Sequence, residues 1–175
     1  LLKEMGKLEE SEAVTREALE KKRRVLGDDD SSTCISMNNL SMLLLARGKP
    51  AEAEPFAREA LERRRRVLGE EHPITLSSIS SFGVILRKLG RLDEAEPLYL
   101  ESLEKSRRVL GEDNPQTLIA ISNLGSLLQE RGKPTEAESY LREAVEKHRR
   151  ILGEDHPNTL MATNNLGGLF QSQHR

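Results

Sequence analysis

The sequence has no tryptophan, one cysteine and few aromatics: Phe, Tyr and Trp together make up 3% of its 175 residues. With Cys34 alone, no internal disulfide can form, and the chain fits a reducing compartment, here expected to be the cytoplasm. Scarce aromatics leave little with which to stack nucleic-acid bases. No apolar run approaches the ~18 residues that a membrane span requires. No signal peptide is visible, although the start reads as truncated. Lys and Arg number 27 against 29 Asp and Glu, for a net charge of -2, so no global field draws the chain to nucleic acid or membrane. The glycines do not cluster as a phosphate loop would need. What is present is rich in Ala, Leu, Glu and Arg, a composition that reads as helical.

Those dispersed glycines carry the organisation. Gly27, Gly69, Gly111 and Gly153 are 42 residues apart, and Gly6, Gly48, Gly90 and Gly132 form a second series of the same period. The stretch Leu110-Gly111-Glu112-Asp113-Asn114-Pro115-Gln116-Thr117-Leu118 recurs from Leu68 and from Leu152, and more weakly from Leu26. A fixed period in this range means stacked supersecondary units, each burying its apolar face against its neighbours. The expected layout is one array over 1–175: a partial unit 1–26, repeats over about 27–68, 69–110 and 111–152, and a final partial repeat 153–175. Both ends fall inside a unit, so the chain reads as a piece of a longer array. Apolar residues at Leu1, Leu2, Leu166 and Phe170 would then invite end-to-end self-association.

Each repeat contains two helical segments. The first opens on a capping residue before proline (His72, Asn114, His156), and its proline at the first helical position forfeits no bond. It stops before a glycine, as in Arg131-Gly132-Lys133-Pro134. Leu118, Ile121, Leu124, Gly125 and Leu128 follow the helical i, i+3, i+4, i+7 spacing. Cys34/Met37/Leu40/Ser41/Leu44, Leu76/Ile79/Phe82/Gly83/Leu86 and Leu160/Thr163/Leu166/Gly167/Phe170 repeat it. The small slot Ser41, Gly83, Gly125, Gly167 lets two helices approach closely. The second helix carries its own stripe: Ala137, Tyr140, Leu141, Ala144, Ile151 and Leu152, with counterparts in the other repeats that include Val25, Val67 and Val109.

No catalytic constellation survives alignment of the repeats, because each candidate reappears as a structural slot. His72 and His156 share the capping slot with Asn114 and Asp30. His148 aligns with Lys22, Arg64 and Ser106 on a variable polar face, and His174 lies in the tail. Cys34 aligns with Leu76, Leu118 and Leu160 and reads as a small core hydrophobe. Glu52, Glu54, Glu94, Glu96, Glu136 and Glu138 fall in the first turns of second helices, where the dipole favours acids. The basic runs 21–24, 63–66, 105–108 and 147–150 end second helices, where cations are favoured, and could also align into a ridge. No enzyme, cofactor or metal is expected, nor a nucleic-acid or membrane partner.

The order Leu124-Gly125, Leu128, Ala137, Leu141, Ala144 resembles the tetratricopeptide repeat (TPR) pattern of small and large positions. The 42-residue length, with Leu-Gly-x-x-His-Pro-x-Thr, Asn-Asn-Leu and Ala-Glu-Pro, resembles the kinesin-light-chain type of that repeat. The resemblance implies an all-α, right-handed superhelical solenoid of antiparallel helix hairpins, and a non-catalytic scaffold that binds a protein or peptide in a concave groove. Groove positions by that resemblance are Ile35, Asn38, Asn39 and Met42; Ser80, Ser81, Val84 and Arg87; Ser122, Asn123 and Ser126; and Asn164 and Asn165. The asparagine amides would bond a peptide main chain or tie neighbouring helices together. The cations with which some TPR arrays clamp a C-terminal carboxylate are missing from Asn38, Met42, Ser81, Ile119 and Asn123. The kinesin-light-chain type also occurs as a sensor array in larger signalling NTPases or proteases, which gives an alternative role through intramolecular contacts or oligomerisation.

Overall fold

The computed structural model describes residues 2–173, with side chains from residue 7 onward; Leu1, the side chain of Leu2 and His174 lie outside the described residues. Eight helices and no strand occur among those residues: α1 (Leu2–Leu26), α2 (Ser31–Ala46), α3 (Pro50–Leu68), α4 (Pro73–Lys88), α5 (Leu92–Leu110), α6 (Pro115–Glu130), α7 (Pro134–Leu152) and α8 (Pro157–Gln173). Even-numbered helices are the first helices of the repeats, and odd-numbered ones the second. None is long and apolar enough to cross a membrane. Among the described residues the fold is an all-α array of helix hairpins.

The turn chemistry sets the helix boundaries. The Asp30 carboxylate accepts from the amides of Ser32 and Thr33, Asn114 Oδ1 from Gln116 at 2.9 Å, and the Nδ1 atoms of His72 and His156 from Ile74 and Asn158, both at 3.2 Å. Each cap satisfies an amide that the first turn leaves without a partner. Thr117 and Thr159 close the same loop by donating to the carbonyls of Gly111 and Gly153 at 2.8 and 2.7 Å. At the other end of α6, Gly132 has φ 71°, and the amides of Lys133 and Gly132 bond the carbonyls of Leu128 and Gln129. This is the Schellman closure that a residue without Cβ permits.

The chain divides into two compact units, Leu1–Arg91 and Leu92–Arg175. In the first, α2 packs between α1 and α3, α3 packs on α4, and α2 also touches α4. In the second, α6 packs between α5 and α7, α7 packs on α8, and α6 touches α8. The stripes of α2, α4 and α6 are buried throughout, as expected. Gly125 takes the close approach: a Cβ there would sit 2.9 Å from Leu141 Cγ and Cδ2.

Two expectations fail. In α8 the buried residues are Thr159, Ala162 and Leu169, whereas Leu160 is 52% exposed and Thr163 and Gly167 are open. This helix has α6 and α7 on one side and no described helix on the other. The last-turn residues Val25, Val67, Val109 and Ile151 are also exposed. Helices α3 and α7 have 19 residues against 16 in α2 and α6, so about a turn overhangs the packed partner.

Candidate functional site

The face one step round from the buried stripe is the least covered part of each first helix. Spacing of i, i+3, i+4, i+7 puts Ile35, Asn38, Asn39 and Met42 on one side of α2. Ile35, Asn39 and Met42 are exposed and Asn38 is half-buried. On α4, Ser80, Ser81, Val84 and Arg87 are half-buried, and Ser80 and Arg87 have partners of their own within the protein. On α6, Ser122, Asn123 and Ser126 are half-buried beside Ile119, which is 45% exposed. On α8, Asn164 and Met161 are exposed and Asn165 is half-buried. Helix α2 touches α4, and α6 touches α8, so two first helices adjoin within each unit.

The polar groups on this face differ in how they are satisfied. Ser122 and Ser126 donate back to the carbonyls of Leu118 and Ser122, at 3.0 and 2.9 Å, as hydroxyls within helices commonly do. The amide side chains of Asn38, Asn39, Asn123, Asn164 and Asn165 bond no described residue. Each therefore keeps two donors and an acceptor for a partner or for water.

The charged residues are committed elsewhere. The expectation that the acids of the second helices serve the dipole alone is too simple. Glu12, nearly buried, pairs with Arg16, Arg47 and Lys49; Glu54 with Arg58 and Arg91; and Glu96 with Arg131 and Lys133. Hydrogen bonding to Arg16, Arg58 and Lys147 respectively, aided by the other cations around them, holds the carboxyls of Glu12, Glu54 and Glu112 below the usual carboxylate range. The basic runs meet the acidic turn that opens their own repeat: Arg63 bonds Asp29 at 2.7 Å, Lys147 bonds Glu112 at 2.6 Å, and Arg150 bonds Asp113 at 2.5 Å.

The slot of Lys22, Arg64, Ser106 and His148 is not a polar surface. Arg64 is 5% exposed, His148 4%, and Ser106 is buried. Lys22 donates to Ser36 Oγ at 2.8 Å and Arg64 to Ser78 Oγ, while His148 Nδ1 lies 2.8 Å from the Ala144 carbonyl. Burial lowers the Arg64 pKa and raises that of the Cys34 thiol, which sits in the core as expected. No group of three or more His, Cys, Asp or Glu residues able to hold a metal occurs among the described residues.

Tetratricopeptide repeat models match residues 75–148 and 118–175, and a second such model matches 1–32 and 33–74. No curated protein matches the chain. Among solved structures, the nearly identical TPR-like repeats of a Podosopora anserina protein titled a kinesin light chain superpose with a TM-score of 0.80, at 21% identity, over 97% of this chain and 80% of that one. A point variant of the same protein gives 0.82 with the same identity and coverage. BtubC (BKLC) from P. vanneervenii gives 0.78 at 26% identity, over 95% of this chain and 66% of that one.

Proposed function

Because the chain belongs to the tetratricopeptide repeat family, with repeats of the kinesin-light-chain-like type, we propose that its protein-interaction role is carried by the open faces of its first helices, which hold a peptide or protein segment. The observation that carries this reading is the set of unpartnered amides. Asn39, Asn123 and Asn165 fall at one position of the repeat, and their side chains bond no other described residue. Asparagine is a poor helix former, so its recurrence mid-helix without an internal bond fits an external partner better than folding. Flanking Ile35, Met42 and Val84 supply apolar surface. The buried network on the other sides of the same helices keeps the face rigid, so little ordering is lost on binding.

The test is the triple substitution Asn39→Ala, Asn123→Ala and Asn165→Ala, screened beside the unaltered chain on an array of short peptides. Helix content by circular dichroism is expected to be unchanged, since these side chains hold no internal bond, while peptide binding falls by about tenfold or more. Unchanged binding by the folded triple variant would assign the amides no part in recognition.

A further inference from the structure

We infer that the segment held on the open faces of α6 and α8 is uncharged and extended, recognised through its main chain. This rests on the reading of the faces as the binding surface. It comes from how the molecule separates its charge. Helix α2 contains no charged residue in 16, α8 none in its 17, and α6 only Glu130 at its end. Helix α7, beside them, has acids and bases along its whole length. Charges at the helix ends of the second unit are also matched internally: Glu112 by Lys147, Asp113 by Arg150, and Glu96 by both Arg131 and Lys133.

A charged ligand on α6 and α8 would therefore shed water against a surface holding no counter-charge, which is unfavourable. What the face offers instead is the free amides of Asn123, Asn164 and Asn165 between the exposed side chains of Ile119 and Met161. An amide donates and accepts at once, which matches peptide N–H and C=O groups. A helical ligand has already used those groups internally, whereas an extended one presents them. The partner segment is thus a neutral strand-like stretch, and its binding does not depend on salt.

The probes are three pools of short degenerate peptides with blocked ends, varied with uncharged residues, with added Asp/Glu, or with added Lys/Arg. Each is titrated by fluorescence polarisation against the whole chain and its Asn123→Ala/Asn165→Ala variant. The expected result is tightest binding of the uncharged pool, with Kd changing less than about twofold between roughly 50 and 500 mM NaCl, where exposed charge attraction is strongly screened. The double variant should bind that pool about tenfold more weakly. Preference for a charged pool, lost in the variant, would overturn the inferred chemistry and leave the binding face standing. Binding indifferent to the variant, or no binding by any pool, would overturn both.

Discussion

Gly125 and Gly167 occupy the same position of consecutive repeats, and alanine should act on them with opposite sign. A Cβ on Gly125 would lie 2.9 Å from Leu141 Cγ and Cδ2 and 3.3 Å from Tyr140 Cβ, where carbon pairs prefer about 3.5–4.0 Å. Leu141 is fully buried, and its Cγ cannot swing aside as a chain end could. Overpacking of this kind costs about 1–3 kcal/mol. Alanine regains about 1 kcal/mol of helix propensity, so Gly125→Ala should lose up to about 2 kcal/mol. Nothing lies within 4 Å of a Cβ on Gly167, and there the propensity gain of up to about 1 kcal/mol stands alone.

Urea unfolding followed by circular dichroism reads both changes as shifts of the midpoint. A double-mutant cycle isolates the cause. Leu141→Ala alone should cost about 2–5 kcal/mol through its cavity, but in its presence Gly125→Ala should become neutral or stabilising, because the clashing atoms are gone. The first unit already has that combination, with Ser41 and Ala57 at the corresponding positions, both buried. A Gly125→Ala protein more stable than the parent, or a strictly additive cycle, would refute the argument.

Two further predictions concern charge. The carboxyls of Glu12, Glu54 and Glu112 titrate below the usual range when folded, so their pairs stabilise fully above the ordinary carboxylate pKa and lose that contribution as pH falls through the folded values. Midpoint stability should drop below about pH 4.5, and Glu54→Gln should flatten the drop; an unchanged slope would mean the pairs contribute nothing. Arg64, buried with Ser78 Oγ as its bonded partner, has no carboxylate to offset its desolvation. Arg64→Met should therefore be neutral or stabilising by about 1 kcal/mol, since Ser78 keeps its own bond to the Ile74 carbonyl; a loss above about 2 kcal/mol, measured in urea, would contradict this.

What the sequence reveals is what its local period determines. The caps at Asp30, His72, Asn114 and His156 are readable because the bonded amides lie two or three residues on. The stripes of α2, α4 and α6 are readable because neighbours cover them; the identical spacing in α8 misleads because burial belongs to the pair, not to the helix. The amides of the open face can be numbered from the repeat, but only coordinates reveal that they lack partners. The slot at 22, 64, 106 and 148 carries residue types usual at a surface, yet Arg64, Ser106 and His148 are buried. Fourteen residues onward stand Ser36, Ser78, Ala120 and Ala162; Lys22 and Arg64 donate to the hydroxyls of Ser36 and Ser78, whereas the other two repeats carry alanine there. The ion pairs hide for a related reason: Arg63 to Asp29 and Arg150 to Asp113 span 34 and 37 residues, joining the basic end of a repeat to the acidic turn that opens it. Acid and base recur along the chain at one period, and these pairs close within a repeat. A basic run that looks like a ridge for a polyanion is therefore largely the partner of carboxylates within the protein, and the uncharged faces of α2, α6 and α8 are what remains open.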